Sequence, residues 1–175
     1  MAYLTHNEVL KAHISGAPYR LSNYHDPLWW SRIKNHNLPI PVKLKFDDKM
    51  RLKMPASIKN SKGIYMFFLE TTHPFPTPIY MRHILYVGRV LEGKSKFSFF
   101  KRMYYYVKDI GNKNSARNRM RLTNLWPNNT YVYFFDLSKK KDTEIIDIEK
   151  NIFNNIVPPL NEELHGKARM TRQLY

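Results

Sequence analysis

The sequence predicts an α/β domain of the α+β kind, with a small central, mostly antiparallel sheet of about three strands flanked by helices and preceded by an N-terminal extension. Three observations predict it. Two continuous apolar and aromatic runs, GIYMFFLE at 63–70 and HILYVGRV at 83–90, stand on either side of a proline-rich connection. A third such run, TYVYFFDL, follows at 130–137. Between and after these runs, apolar residues recur at helical spacing. Continuous apolar runs of this length fit strands buried on both faces. With 175 residues and 43% hydrophobic content, the chain can bury one ordinary core, so a single domain with appendages is expected.

Residues 1–60 read as an extension. Thr5 and Glu8 have the spacing of a capping box before a short helix, and Asp26-Pro27 opens a second helix through Trp29, Trp30 and Ile33. The tryptophan pair is expected to pack this extension onto the core rather than to stack bases. Leu38-Pro39-Ile40-Pro41 breaks regular structure, and Val42 to Met54 can add an edge strand before Pro55 ends it. The domain proper is expected over 61–165. Its first two strands should pair as a hairpin, and the connection TTHPFPTPIYMR (71–82), with Pro74, Pro76 and Pro78, reads as an irregular loop.

A polar turn through Glu92-Gly93-Lys94 leads to a helix in which Phe97, Phe100, Tyr104 and Val107 make the expected buried stripe, up to Gly111. On that helix Arg102 and Tyr106 lie one turn apart and about 180° from the stripe, so they are expected to face outward, toward a site or solvent. A second helix is expected over 115–126, with Lys113, Arg117 and Arg121 as a basic stripe opposite Leu122, Leu125 and Trp126. After the third strand, the last helix starts near Asp142-Thr143 and buries Ile145, Ile148, Ile152 and Ile156 before Pro158-Pro159 stops it. Residues 166–175 form a short basic tail. The expected order is strand, strand, helix, helix, strand, helix.

Twenty-nine Lys and Arg against fourteen Asp and Glu give a net charge of +15. The excess is spread along the chain, which points to a polyanionic partner, nucleic acid first. No cysteine is present, so there is no disulfide framework, thiolate nucleophile or zinc finger, and a cytoplasmic setting is expected. Neither a signal peptide nor a membrane span is visible. The seven histidines lack paired ligand spacing and read as surface or loop residues.

Glu149 sits on the apolar face of the last helix, between Ile148 and Ile152. A carboxylate there costs several kcal/mol to desolvate unless a cation or several donors meet it. Two partners are open: an Arg or Lys in a buried ion pair, or a hard divalent metal whose other ligands are water and phosphate oxygens.

The tripeptides Gly63-Ile64-Tyr65 and Tyr86-Val87-Gly88, with Arg102 on the following helix, Glu149 on a later helix and Asn161 after it, together resemble the GIY-YIG nuclease superfamily over residues 61–163. Either tripeptide alone is a weak signal; the ordered set is specific. Arg89 stands where the excision-repair branch of that family has a basic residue, and Tyr106 where the family has histidine or tyrosine. The hairpin connection and the stretch between Gly88 and Arg102 are longer than usual for the family, which puts the substrate contacts in doubt more than the chemistry.

The resemblance implies a metal-dependent endonuclease hydrolysing phosphodiester bonds in DNA, free-standing and of restriction or mobile-element type. Tyr65 would be the general base or a proton relay, and Tyr86 would position water or phosphate. Arg89 and Arg102 would bind the scissile phosphate, a task suited to the guanidinium fork. Glu149 would hold one Mg²⁺ or Mn²⁺, Asn161 would fix the last loop, and Tyr106 would share in the hydrogen bonding. Lys94, Lys96, Lys101, Lys113, Arg117 and Arg121 are expected to track phosphates. Double-stranded DNA is the expected substrate, with RNA open, and double-strand cleavage would imply a homodimer. The competing expectation is a non-catalytic nucleic-acid-binding module of the same fold.

Overall fold

The computed structural model describes residues 36–73, 79–92, 97–111, 129–156, 158 and 160–161. Its sheet is antiparallel throughout and has four strands rather than three, in the order β1-β4-β2-β3. The strands are β1 (Val42–Lys45), β2 (Gly63–His73), β3 (Ile79–Val90) and β4 (Thr130–Asp136). The helices are α1 (Met50–Lys53), α2 (Ala56–Lys59), α3 (Phe99–Val107) and α4 (Asp142–Ile156). No helix among the described residues is long and apolar enough to cross a membrane.

The fourth strand lies where the edge strand is expected, within residues 42–54. β1 pairs with β4 from Val42–Phe134 to Lys45–Tyr131, so it closes an edge that β4 would otherwise expose. The predicted strand to Met54 stops at Lys45, because Phe46, Met50, Met54 and Ile58 all belong to one buried cluster. That spacing of four residues suits short helices, and α1 and α2 lie within it. This segment thus contributes Phe46, Met50, Met54 and Ile58 to the core. The predicted helices near Thr5 and Trp29, the helix over 115–126 and the tail over 166–175 lie outside the described residues.

The hairpin is also longer than expected. β2 runs to His73 and β3 starts at Ile79, with Thr71–His73 paired to Ile79–Met81. Pro74, Pro76 and Pro78 all fall between the strands, where proline's missing N–H removes no ladder bond.

Side-chain alternation sends the core to both faces of the sheet. Tyr65, Phe67, Leu69, Val132 and Phe134 face α1, α2 and α3. Ile64, Met66 and Val87 face Ile145, Ile148 and Ile152 of α4, as the apolar periodicity of that helix predicts. Phe67 pairs with Tyr86 but Phe68 pairs with Ile84, which leaves Leu85 as the extra residue of a β-bulge. Leu85 and Tyr86 consequently share the α3 face, while Ile84 and Val87 share the α4 face.

Helix α3 departs from its predicted orientation. Its buried residues are Phe99, Met103 and Tyr106, at i, i+4 and i+7, whereas Tyr104 is 46% exposed. Aromatic residues lie all round this helix, so two stripes compete on periodicity alone. Burial selects the one that meets Phe134, whose ring centroid lies 5.1 Å from that of Phe99. Tyr106 therefore points into the core and not outward.

Candidate functional site

Helix α3 is fixed at its start by two bonds. The Ser98 hydroxyl accepts from the Lys101 N–H at 3.4 Å, a side-chain cap, and the Phe99 N–H donates to the Ser61 carbonyl at 3.2 Å. This anchoring sets Arg102 and Tyr106 against the middle of β2 and β3. Tyr65 (β2), Tyr86 (β3) and Tyr106 (α3) form a triangle of rings with centroids 6.0 to 6.2 Å apart. Phe67 closes the base, 5.0 Å from Tyr106 and 6.1 Å from Tyr86. The hydroxyls of Tyr65 and Tyr106 are hydrogen-bonded at 3.1 Å, with the Tyr86 ring alongside. The bulge at Leu85 is what brings the Tyr86 ring to this face.

Burial pushes the Tyr65 phenol well above its ordinary range, and the neighbouring phenols of Tyr106 and Tyr86 add to the effect. Burial likewise raises Tyr106. The positive charge of Arg102 pulls both down in part. Both phenols are therefore neutral at neutral pH, so a free phenolate base at Tyr65 does not fit this geometry, while a relay does. Arg102 itself is half-buried, its guanidinium 5.3 Å from the centre of the Phe97 ring. Among the described residues its Nε is buried without a hydrogen-bond partner. An orphaned charged donor of this kind is costly unless something accepts from it.

The glycines of both tripeptides have steric reasons. Gly63 has φ of 147°, and a Cβ there would lie 2.9 Å from the Leu137 nitrogen and nearer still to the Phe135 carbonyl. Gly88 lies directly beneath Tyr65, its Cα position opposite that of Tyr65 in the ladder. A Cβ on Gly88 would come within 2.5 Å of Tyr65 Cζ.

Arg89 and Glu149 meet each other in a salt bridge, and they do so on the other face of the sheet. Arg89 is paired with Ile64, whose side chain belongs to the α4 layer. The expected single pocket of phenols, guanidinium and acid is therefore divided. The three tyrosines and Arg102 gather on the α3 face, and Arg89 with Glu149 on the α4 face. Glu149 is buried, as its place in the sequence requires, and its carboxylate side chain is only 8% exposed. Of the two partners left open by the sequence, the structure supplies the ion pair.

Asn161 joins the two layers through the backbone. Its Oδ1 accepts from the Val87 N–H at 2.9 Å and its Nδ2 donates to the Val87 carbonyl at 2.7 Å. The Leu160 N–H donates to the Leu85 carbonyl at 3.0 Å. A single side-chain amide thus imitates a neighbouring strand at the outer edge of β3, holding the residue between Tyr86 and Gly88 in place.

A divalent cation does not fit these residues as they stand. Glu149 is the expected ligand, and Arg89 already occupies its carboxylate. No group of three or more His, Cys, Asp or Glu that could hold a metal is found among the described residues. Of the expected phosphate contacts, Lys101 is exposed on α3, and Lys94, Lys96, Lys113, Arg117 and Arg121 lie outside the described residues. The His36 ring is bonded to the Asn151 amide at 2.7 Å, in keeping with a surface role.

One buried polar cluster was not anticipated. Glu70 accepts from Lys43 and from the Tyr133 hydroxyl, at the end of the sheet far from Gly88. Its signal in the sequence is a lone carboxylate closing the run GIYMFFLE. Burial disfavours the charge on Lys43, but hydrogen bonds to Glu70 and Tyr133 outweigh it and raise the ammonium above its ordinary range. No family model matches this chain, and neither a curated protein nor a solved structure matches it.

Proposed function

We propose that the protein is a nuclease that hydrolyses phosphodiester bonds in DNA, with Arg102 and Tyr86 as the residues that meet the scissile phosphate and the buried phenols of Tyr65 and Tyr106 behind them. The observation that carries the reading is the buried Nε of Arg102, without a hydrogen-bond partner among the described residues, beside the hydrogen-bonded phenols of Tyr65 and Tyr106. A phosphate oxygen is a natural acceptor for such a guanidinium. The net charge of +15 supplies long-range attraction for a polyanion.

In this reading Arg102 binds a non-bridging oxygen and offsets the extra negative charge of the pentacovalent state. The phenols act as a relay. Water adds to phosphorus and gives its proton to one phenol oxygen as that phenol passes its own along the chain. The bond from phosphorus to the leaving sugar oxygen breaks, and the relayed proton goes to that oxygen, so no phenolate accumulates. Asn161 positions Tyr86 through Val87. A Mg²⁺ or Mn²⁺ ion at Glu149 would require Arg89 to swing away, and the relay is independent of it. A free-standing restriction or mobile-element setting and a homodimer belong to the same proposal.

The Arg89–Glu149 pair favours a second reading, a nucleic-acid-binding module without cleavage, because it leaves the acid engaged. Incubating supercoiled plasmid with protein and Mg²⁺ or Mn²⁺ decides between them. Nicked or linear product with wild type, lost in Arg102→Ala while a gel shift persists, is expected. A gel shift without any product from wild type selects the binding module, and a preference for RNA under the same conditions redirects the substrate.

A further inference from the structure

The outward face of α3 carries an alternation of cations and aromatic rings that the chemistry above does not use. The Arg51 guanidinium lies 4.0 Å from the centre of the Phe100 ring and 4.9 Å from that of Tyr104. Lys108 Nζ lies 5.7 Å from the centre of Tyr104 and 5.1 Å from that of Tyr105. Lys59 Nζ lies 5.7 Å from the centre of Phe100 at the other end. Arg51 is held in place by a bond from its Nε to the Phe100 carbonyl at 3.3 Å. Tyr104 and Tyr105 are 46% and 39% exposed, among the few large hydrophobic side chains left open in the described residues. None of Arg51, Lys59, Lys101 and Lys108 is in an ion pair among the described residues.

From this ladder we infer that the outer face of α3 is a docking track for an unpaired nucleic-acid strand, with Tyr104 and Tyr105 as stacking platforms and Arg51, Lys59 and Lys108 as phosphate contacts. The inference rests on nucleic acid being the substrate. Exposed phenol faces add nothing for a duplex, whose bases are already stacked, whereas unpaired bases gain a partner. Cations beside the rings neutralise the backbone and hold the rings in position. The track also leads to the site. At about 100° per residue, Arg102 lies between Tyr105 on the outer face and Tyr106 on the inner one, so a strand stacked on Tyr105 would next meet the Arg102 guanidinium.

Fluorescence anisotropy with one labelled oligonucleotide, single-stranded and as a duplex, in EDTA so that cleavage plays no part, tests the track. Wild type should prefer the single strand. Tyr104→Ala with Tyr105→Ala should weaken single-strand binding roughly 5- to 100-fold per stacked base lost and leave duplex binding alone. The corresponding Phe variants should restore it. Arg51→Ala with Lys108→Ala should reduce the slope of log affinity against log salt by roughly 0.7 per cation. Single-strand affinity unchanged in the alanine pair, with circular dichroism showing a folded protein, overturns the proposal. Such a result alongside continued plasmid nicking removes the track and spares the nuclease, whereas Tyr-dependent binding by a protein that never nicks does the reverse.

Discussion

Gly88→Ala isolates the packing on which the tyrosine triangle depends. The added Cβ would lie 2.5 Å from Tyr65 Cζ and 3.0 Å from Cε2, so the ring must retreat by about 1 Å to restore an ordinary carbon–carbon separation. It has little room. Phe67, Tyr86 and Tyr106 stand edge-on or tilted around it at 6.0 to 6.2 Å between centroids, and Tyr65 is almost fully buried. Overpacking of this kind costs about 1 to 3 kcal/mol, offset by up to about 1 kcal/mol from stiffening the unfolded chain. For a chain of this length each kcal/mol shifts Tm by about 2 to 4 °C, so a fall of several degrees is expected. A phenol displaced by about 1 Å should also lose on the order of 100-fold in any nicking activity. Urea melts of Gly88→Ala, Tyr65→Ala and the double variant give the coupling energy. With the ring removed, the alanine should cost almost nothing. Additive effects in the double variant, or wild-type stability in Gly88→Ala, would refute the placement of Tyr65 over Gly88.

Two further predictions concern pH and the sheet edge. Because burial holds the Tyr65 and Tyr106 protons in the folded state, the unfolded chain loses its phenol protons first, near about pH 10. Above that pH the unfolded state binds fewer protons and stability falls as pH rises; the raised Lys43 acts in the same direction, its contribution being intact at lower pH. In an alkaline pH jump followed by tyrosinate absorbance, part of the signal from the twelve tyrosines should appear only at the rate of unfolding, and a single fast phase accounting for all twelve contradicts this. Asn161→Leu should orphan both polar groups of Val87 at the edge of β3, a loss of about 2 to 3 kcal/mol, and hydrogen exchange should show the Val87 amide losing protection before its neighbours on β2; equal protection in both proteins tells against the edge-mimic role.

The strands were legible because both of their faces are apolar, and a run such as GIYMFFLE reads the same whichever face is counted. Helix α4 was legible because Ile145, Ile148, Ile152 and Ile156 mark one face without competition. Where two stripes compete, as on α3, periodicity has no means of choosing, and the choice is made by what Phe134 presents across the core. Strand β1 is short, four residues, and its place is set by pairing with β4 some ninety residues away, a long-range fact absent from local pattern. The candidate residues were named by type and order, and the face each one takes was not legible. Tyr65, Tyr86, Arg102 and Tyr106 do gather, but the parity of β3 carries Arg89, one residue beyond Gly88, to the opposite side. The bulge that sets this parity at Leu85 leaves no mark in the residue types around it.

The two faces of the sheet also treat their described basic side chains differently. On the α4 face each buried carboxylate is met by a basic side chain from the sheet, Glu149 by Arg89 and Glu70 by Lys43. Those cations are spent on holding acids that desolvation would otherwise penalise, and they contribute little field to the outside. On the α3 face the cations meet aromatic rings instead, Arg51 and Lys108 against Phe100, Tyr104 and Tyr105, and Arg102 against Phe97. A ring orients a guanidinium or ammonium without neutralising it. Among the described residues, cations that face rings therefore keep their charge, whereas Arg89 and Lys43 have theirs met by a carboxylate.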